Sequence, residues 1–163
     1  MGDVPFFYGI EPRWWTADRF YKVFVLPQAI CAARVAGQFG DESSARAQLV
    51  LSGGLLGLLF APLVRRFAAQ RAEREAFYDT LTPGSPDFLQ ADDLNFVLER
   101  TDVRKVVVDA NRTWWTGAAA NSGRIDFVLL DGSRRRLILA GEQDTAAIAR
   151  LLVDSLGSVE PVM

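Results

Sequence analysis

Leu49 to Val64 reads LVLSGGLLGLLFAPLV, sixteen residues without a charge, and Arg65-Arg66 closes it abruptly. Elsewhere the apolar positions alternate or follow a helical spacing, as in ordinary half-buried elements. Phe20 to Leu26 (FYKVFVL) is dense in aromatic and branched residues and predicts a strand. Pro27-Gln28 punctuates it, and Ala29 to Ala36 (AICAARVA) predicts the return strand of a hairpin. Gly37 to Gly40 then breaks the pattern.

Asp41, Ser43 or Ser44 can cap a following helix, whose positive end suits Asp41 and Glu42. The pattern runs into the uncharged segment, which would extend roughly 24 Å as a helix. That is short of the roughly 30 Å hydrocarbon core of a bilayer. Gly53-Gly54 and Gly57 weaken a helix, and Pro62 removes one hydrogen bond. A break is therefore expected near Ala61-Pro62, with Pro62 opening a second helix to about Leu81. That helix places Leu63, Phe67, Phe77 and Leu81 roughly on one face, interrupted by Gln70 and Arg74. Pro83-Gly84-Ser85-Pro86 ends it, and Ser85 is suited to cap a short helix over Asp87 to Ala91.

From Asn95 the texture turns to strands. Asn95–Glu99 and Lys105–Asp109 are candidates, separated by a turn at Thr101-Asp102. Arg112 to Thr116 holds Trp114-Trp115 and precedes a loop over Gly117–Gly123. In Arg124–Leu130, Ile125, Phe127 and Leu129 share a face. Asp131-Gly132 predicts a tight hairpin turn into a return strand over Ser133–Ala140. Asp144 or Thr145 caps a final helix with Ile148, Leu151, Leu152 and Leu156 at helical spacing, stopped by Gly157. The expected class is α+β: a bent antiparallel sheet or partly open barrel, capped by a C-terminal helix and carrying an inserted helical hairpin.

Two stretches resemble the pleckstrin-homology-like superfamily, especially its bacterial and GRAM-type members. Phe96 to Val106 (FVLERTDVRKV) is similar to the family's strand, polar turn, "D-I-x-x-V" and next strand. Gly123–Leu156 is similar to its ending of strand, Asp-Gly turn, strand and amphipathic helix. With Phe20–Ala36, the resemblance covers about 80 of 163 residues. It implies one domain over residues 1–163, with residues 41–91 as a helical insertion containing the apolar run. Family members that bind phosphoinositides gather several cations on the first hairpin, because a multiply charged phosphate needs several donors. Here Phe20–Ala36 offers only Lys22 and Arg34.

The length suits one domain with a sizeable core. A net charge of −2 provides no global basic field for nucleic acid. Without histidine, Ser–His and Cys–His catalytic pairs are impossible. Cys31 reads as a packed core thiol, and as a lone cysteine it fits a reducing compartment. The pairs Asp41-Glu42 and Asp92-Asp93 read as caps and turn formers. Gly53, Gly54 and Gly57 match neither the phosphate loop nor G-x-G-x-x-G. No catalytic residue, cofactor or metal is expected, and no secretory leader or myristoylation pattern is read at Met1-Gly2. Cytoplasmic residence is the expectation, with membrane association as an alternative.

An oily run must be hidden from water by protein or by lipid. Leu55, Leu56, Leu58, Leu59, Phe60, Leu63, Arg65, Arg66, Phe67 and Arg71 are the candidate surface. In the first reading they bury against another protein, most simply a second copy of the chain. In the second, Leu49–Phe67 lies on an anionic cytoplasmic membrane face, with Arg65, Arg66 and Arg71 at the headgroups. Arg71 can instead pair with Glu75 along the helix. An enzyme with an unrecognised site is the third reading. Arg134-Arg135-Arg136 reads as a protective charged edge. Trp14-Trp15 and Trp114-Trp115 are each expected to place one ring inward and one outward.

Overall fold

Alternating apolar residues build one sheet, and its two faces carry two separate apolar clusters. The computed structural model describes residues 4–13, 18–37, 55–113, 120–157 and 159–162, with only the backbone for 55–64, 159, 161 and 162. The strands are β1 (Phe6–Glu11), β2 (Arg19–Leu26), β3 (Ala29–Ala36), β4 (Phe96–Glu99), β5 (Val103–Asp109), β6 (Asn121–Leu129), β7 (Arg134–Ala140) and β8 (Val159–Val162). The helices are α1 (Leu55–Asp79), α2 (Pro86–Gln90) and α3 (Thr145–Leu156). Strand order is β4-β3-β2-β1-β7-β6-β5-β8, antiparallel except for the parallel pairing of β8 with β5. The architecture is α+β, with the sheet curled into a partly open barrel.

Pro27-Gln28 turns β2 into β3, aligning Val25 with Ile30 and Val23 with Ala32. Leu130 to Gly132 turn β6 into β7, with Gly132 at φ 84° and the Asp131 carboxylate accepting from the Ser133 N–H. Residues 36 and 96 flank the insertion, yet β3 and β4 are direct neighbours. The insertion thus leaves and re-enters the sheet at one edge.

The inner cluster gathers Phe7, Tyr21, Val23, Ile30, Val106, Ile125, Phe127, Leu137 and Leu139 against Ile148, Leu152 and Leu156 of α3. These helix positions follow the three-four spacing that the sequence displays. Asp144 caps α3 by accepting from the Ala147 N–H at 2.9 Å, and Gly157 ends it in the left-handed region at φ 81°. A side chain at Gly157 would meet the Arg100 guanidinium at 2.6 Å. The outer cluster holds Ile10, Phe20, Phe24, Cys31, Ala33, Val35, Ile138 and Ala140, with Tyr78 of α1 and Phe88 of α2 packed on it.

Two expectations for the insertion change. No helix break occurs at Pro62: α1 runs unbroken from Leu55 to Asp79. The proline costs one backbone hydrogen bond, and the Leu- and Ala-rich turns around it sustain the helix. The inward face also differs, because Phe77 is half exposed and the buried residue is Tyr78. Residues 41–54 and both tryptophan pairs lie outside the described residues.

Candidate interaction surface on the inserted helix

The described C-terminal part of α1 docks on the outer sheet face through polar groups. Between Arg65 and Asp79 only Tyr78 is buried. Arg71 lies over the rings of Phe20 at 4.2 Å and Tyr8 at 4.8 Å, and its Nε pairs with Glu75 at 2.5 Å. The Tyr8 hydroxyl donates to Glu75 Oε2 at 2.9 Å. Burial, followed by this carboxylate, pushes the Tyr8 phenol above its ordinary range. Arg74 reaches the Arg34 carbonyl and the Asp92 carboxylate, both at 3.4 Å. The Asn95 amide donates to the Tyr78 hydroxyl at 2.9 Å and to the Phe88 carbonyl at 2.7 Å.

Lys22 is the most constrained cation of this interface. Its side chain is 5% exposed, and its ammonium donates to Asp79 Oδ1 at 2.6 Å. The same nitrogen sits 4.3 Å from the Phe6 ring centroid and 5.3 Å from that of Phe24. Such cation–aromatic contacts contribute about 0.5–2 kcal/mol, more when desolvated. A lone lysine in an apolar strand gave no sequence signal of this role. Its partner arrives 57 residues later in the chain.

Arg71, read from sequence as a lipid-facing or surface cation, is thus seated on the sheet. Arg65 and Arg66 are exposed, and Phe67 is half buried. From Arg65 to Gln70 no residue is buried. Beyond Arg65, the backbone continues as helix through Leu63, Phe60, Leu59, Leu58, Leu56 and Leu55. Their side chains lie outside the described residues.

A second polar cluster closes one end of the inner face. Glu11 pairs with Arg19 at 3.1 Å and Arg135 at 3.4 Å, and the Tyr21 hydroxyl approaches it at 3.5 Å. Arg135 stacks 3.7 Å over Phe96. Burial, followed by Glu11, raises the Tyr21 phenol. Arg19 and Arg135 share the one Glu11 carboxylate, and the hairpin cations Lys22 and Arg34 are held by Asp79 and Asp92.

The triplet of arginines pairs with β6 through Val128, Phe127 and Asp126. β7 lies between β1 and β6, although its pairing with β1 is confined to Leu139 and Ile138. Arg136 forms a bidentate pair with Asp126, at 2.7 and 3.2 Å. That hydrogen bonding raises the Arg136 pKa further.

No family model, curated protein or solved structure matches the chain. Among the described residues, no helix is long and apolar enough to cross a membrane. Nor does any group of acidic or cysteine side chains among them stand ready to hold a metal ion.

Proposed function

We propose that the chain is a non-catalytic binding module of pleckstrin-homology-like type whose inserted helix mediates self-association. The supporting observation is the change of character along α1. Its C-terminal half is tied to the sheet by Arg71, Arg74, Glu75, Tyr78 and Asp79. Its N-terminal ten residues, LLGLLFAPLV, carry no charge and meet the docked half at exposed Arg65 and Arg66. A helix of this composition favours an apolar cover, and a second copy of the same helix provides one. Sedimentation of purified protein in plain buffer tests the reading. A dimer or larger species that Leu59→Glu dissociates supports it, whereas a monomer at all concentrations ends it.

A second reading is favoured by the exposure of Arg65 and Arg66. A cationic pair at the boundary of an apolar helix suits an anionic bilayer surface on the cytoplasmic side. Flotation with phosphatidylserine vesicles at low salt decides this: protein left in the bottom fraction excludes membrane binding. The pleckstrin-homology-like assignment rests on the two sequence stretches above, together with an α+β sheet curled into a partly open barrel.

A further inference from the structure

The docked half of α1 turns one side to the sheet and another to solvent. Arg71, Glu75 and Tyr78 reach the sheet, whereas Arg66, Ala69, Gln70, Glu73, Ala76 and Phe77 are exposed. Arg66 and Glu73 are seven residues apart and so share one line of the helix. Ala69 and Ala76 flank that line on one side, Gln70 and Phe77 on the other. Continued toward the N-terminus, it passes the positions of Leu63, Pro62, Leu59 and Leu55 in the uncharged run.

The helix also reaches past the sheet. Followed backwards, its contacts step along the strands: Asp79 holds Lys22, Glu75 accepts from the Tyr8 hydroxyl, and Arg71 covers Phe20. Phe20 stands next to the first residue of β2 and pairs with Ala36, the last residue of β3. From Gln70 back to Leu55 the helical backbone runs roughly 24 Å further, beyond these strand ends.

A second α1 running the other way complements this line. With Arg66 level with Glu73 of the second copy, two-fold symmetry repeats the ion pair and brings Ala69 to the axis. Pro62 and Leu59 of the overhanging half then come level with the second copy's Phe77, which is 50% exposed. Alanines near the axis let the two helices approach closely. A parallel pairing along the same line instead sets Arg66 against Arg66 and Glu73 against Glu73, like charge on like. Each sheet stays clear, because it is docked on the far side of its own helix.

We propose that two copies pair antiparallel through this side of α1, the apolar half of each lying along the Ala69, Ala76 and Phe77 side of the other. The proposal rests on self-association by α1 and adds the face it meets, its direction and its charge pair. The contact is the same patch on both copies, so assembly closes at two.

Sedimentation equilibrium and disulfide trapping test it together. Arg66→Glu and Glu73→Arg are each expected to weaken the dimer about fivefold or more, and the double variant to restore it to within about threefold. Phe77→Ser is expected to weaken it at least about tenfold. On mild oxidation Ala69→Cys should form a covalent dimer. Ala76→Cys should not, since the two copies of residue 76 lie roughly 20 Å apart, beyond the reach of a disulfide. Wild type, with Cys31 buried, is the control. A dimer that keeps its Kd in all three single variants, or that crosslinks through residue 76, leaves self-association standing and overturns this arrangement. A wild-type monomer at all concentrations, whether or not it floats with anionic vesicles, ends both. Phe77 also touches Tyr78, so should Phe77→Ser fail to fold, the charge exchange and the trapping still decide.

Discussion

The carboxamide of Gln143 pairs with the backbone of Tyr8 as another strand residue would. Its Oε1 accepts from the Tyr8 N–H at 2.9 Å, and its Nε2 donates to the Tyr8 carbonyl at 2.8 Å. The same nitrogen also donates to the Ala140 carbonyl at 2.7 Å. β1 and β7 share only two residue pairs, Gly9 with Leu139 and Ile10 with Ile138. Gln143 therefore lengthens the joint between the two halves of the sheet.

Gln143→Ala strands the Tyr8 N–H and carbonyl together. A loss of about 1–3 kcal/mol is expected, measured as a lower urea midpoint. Gln143→Glu should recover only part of it, since a carboxylate accepts from the N–H but repels the Tyr8 carbonyl. Full recovery by Glu would remove the amide donor from the account.

Alkaline pH should destabilise the fold through Cys31. Burial pushes its thiol up from 9.0 to about 11, so the folded state retains a proton that the unfolded state releases. The contribution is fully present below pH 9, declines as pH rises, and is lost above about 11. Tyr8 and Tyr21 are raised too, so they act with the same sign at still higher pH. Urea midpoints from pH 8 to 11 should fall less steeply in Cys31→Ala than in wild type. Parallel slopes would contradict the assignment.

Gly123 occupies φ +111°, and a Cβ there would lie 2.1 Å from the Asp109 carbonyl oxygen. Because the obstacle is backbone, Gly123→Ala should cost about 3 kcal/mol or more, or prevent folding. Soluble expression and thermal melting check this. A variant within about 1 kcal/mol of wild type would mean that β6 relaxes around the new methyl group.

Asp144→Ala removes the acceptor for the Ala147 N–H at the start of α3. About 1 kcal/mol is expected, with Asp144→Ser close to wild type. Equal losses in both variants would deny the capping role.

The elements most readable from sequence are those whose signals are local. Pro27-Gln28, Asp131-Gly132, Ser85-Pro86, Asp144 and Gly157 each mark a turn or cap by their own backbone chemistry, and the structure places them there. β1 and β8 passed unread for physical reasons. Gly9 interrupts the first, and Pro161 falls in a four-residue edge strand, where a missing N–H is tolerated. The docking face of α1 was illegible because it does not follow the apolar stripe. Arg71, Glu75 and Asp79 face the sheet, and their partners Tyr8, Phe20 and Lys22 lie on distant strands. The candidate surface was legible only as a run that charge avoids. Which atoms cover Leu55 to Leu63 depends on a surface that periodicity does not encode.

The meeting of β3 and β4 across the whole insertion shapes the order in which this chain folds. The β2–β3 and β6–β7 hairpins close through short turns, whereas β4 must find β3 after a detour of roughly 60 residues, whose closure entropy grows only logarithmically with length. The early nucleus thus belongs to the tight hairpins, and zippering of the β3–β4 margin comes late, so substitutions at Ile30–Leu98 should speed unfolding far more than they slow refolding.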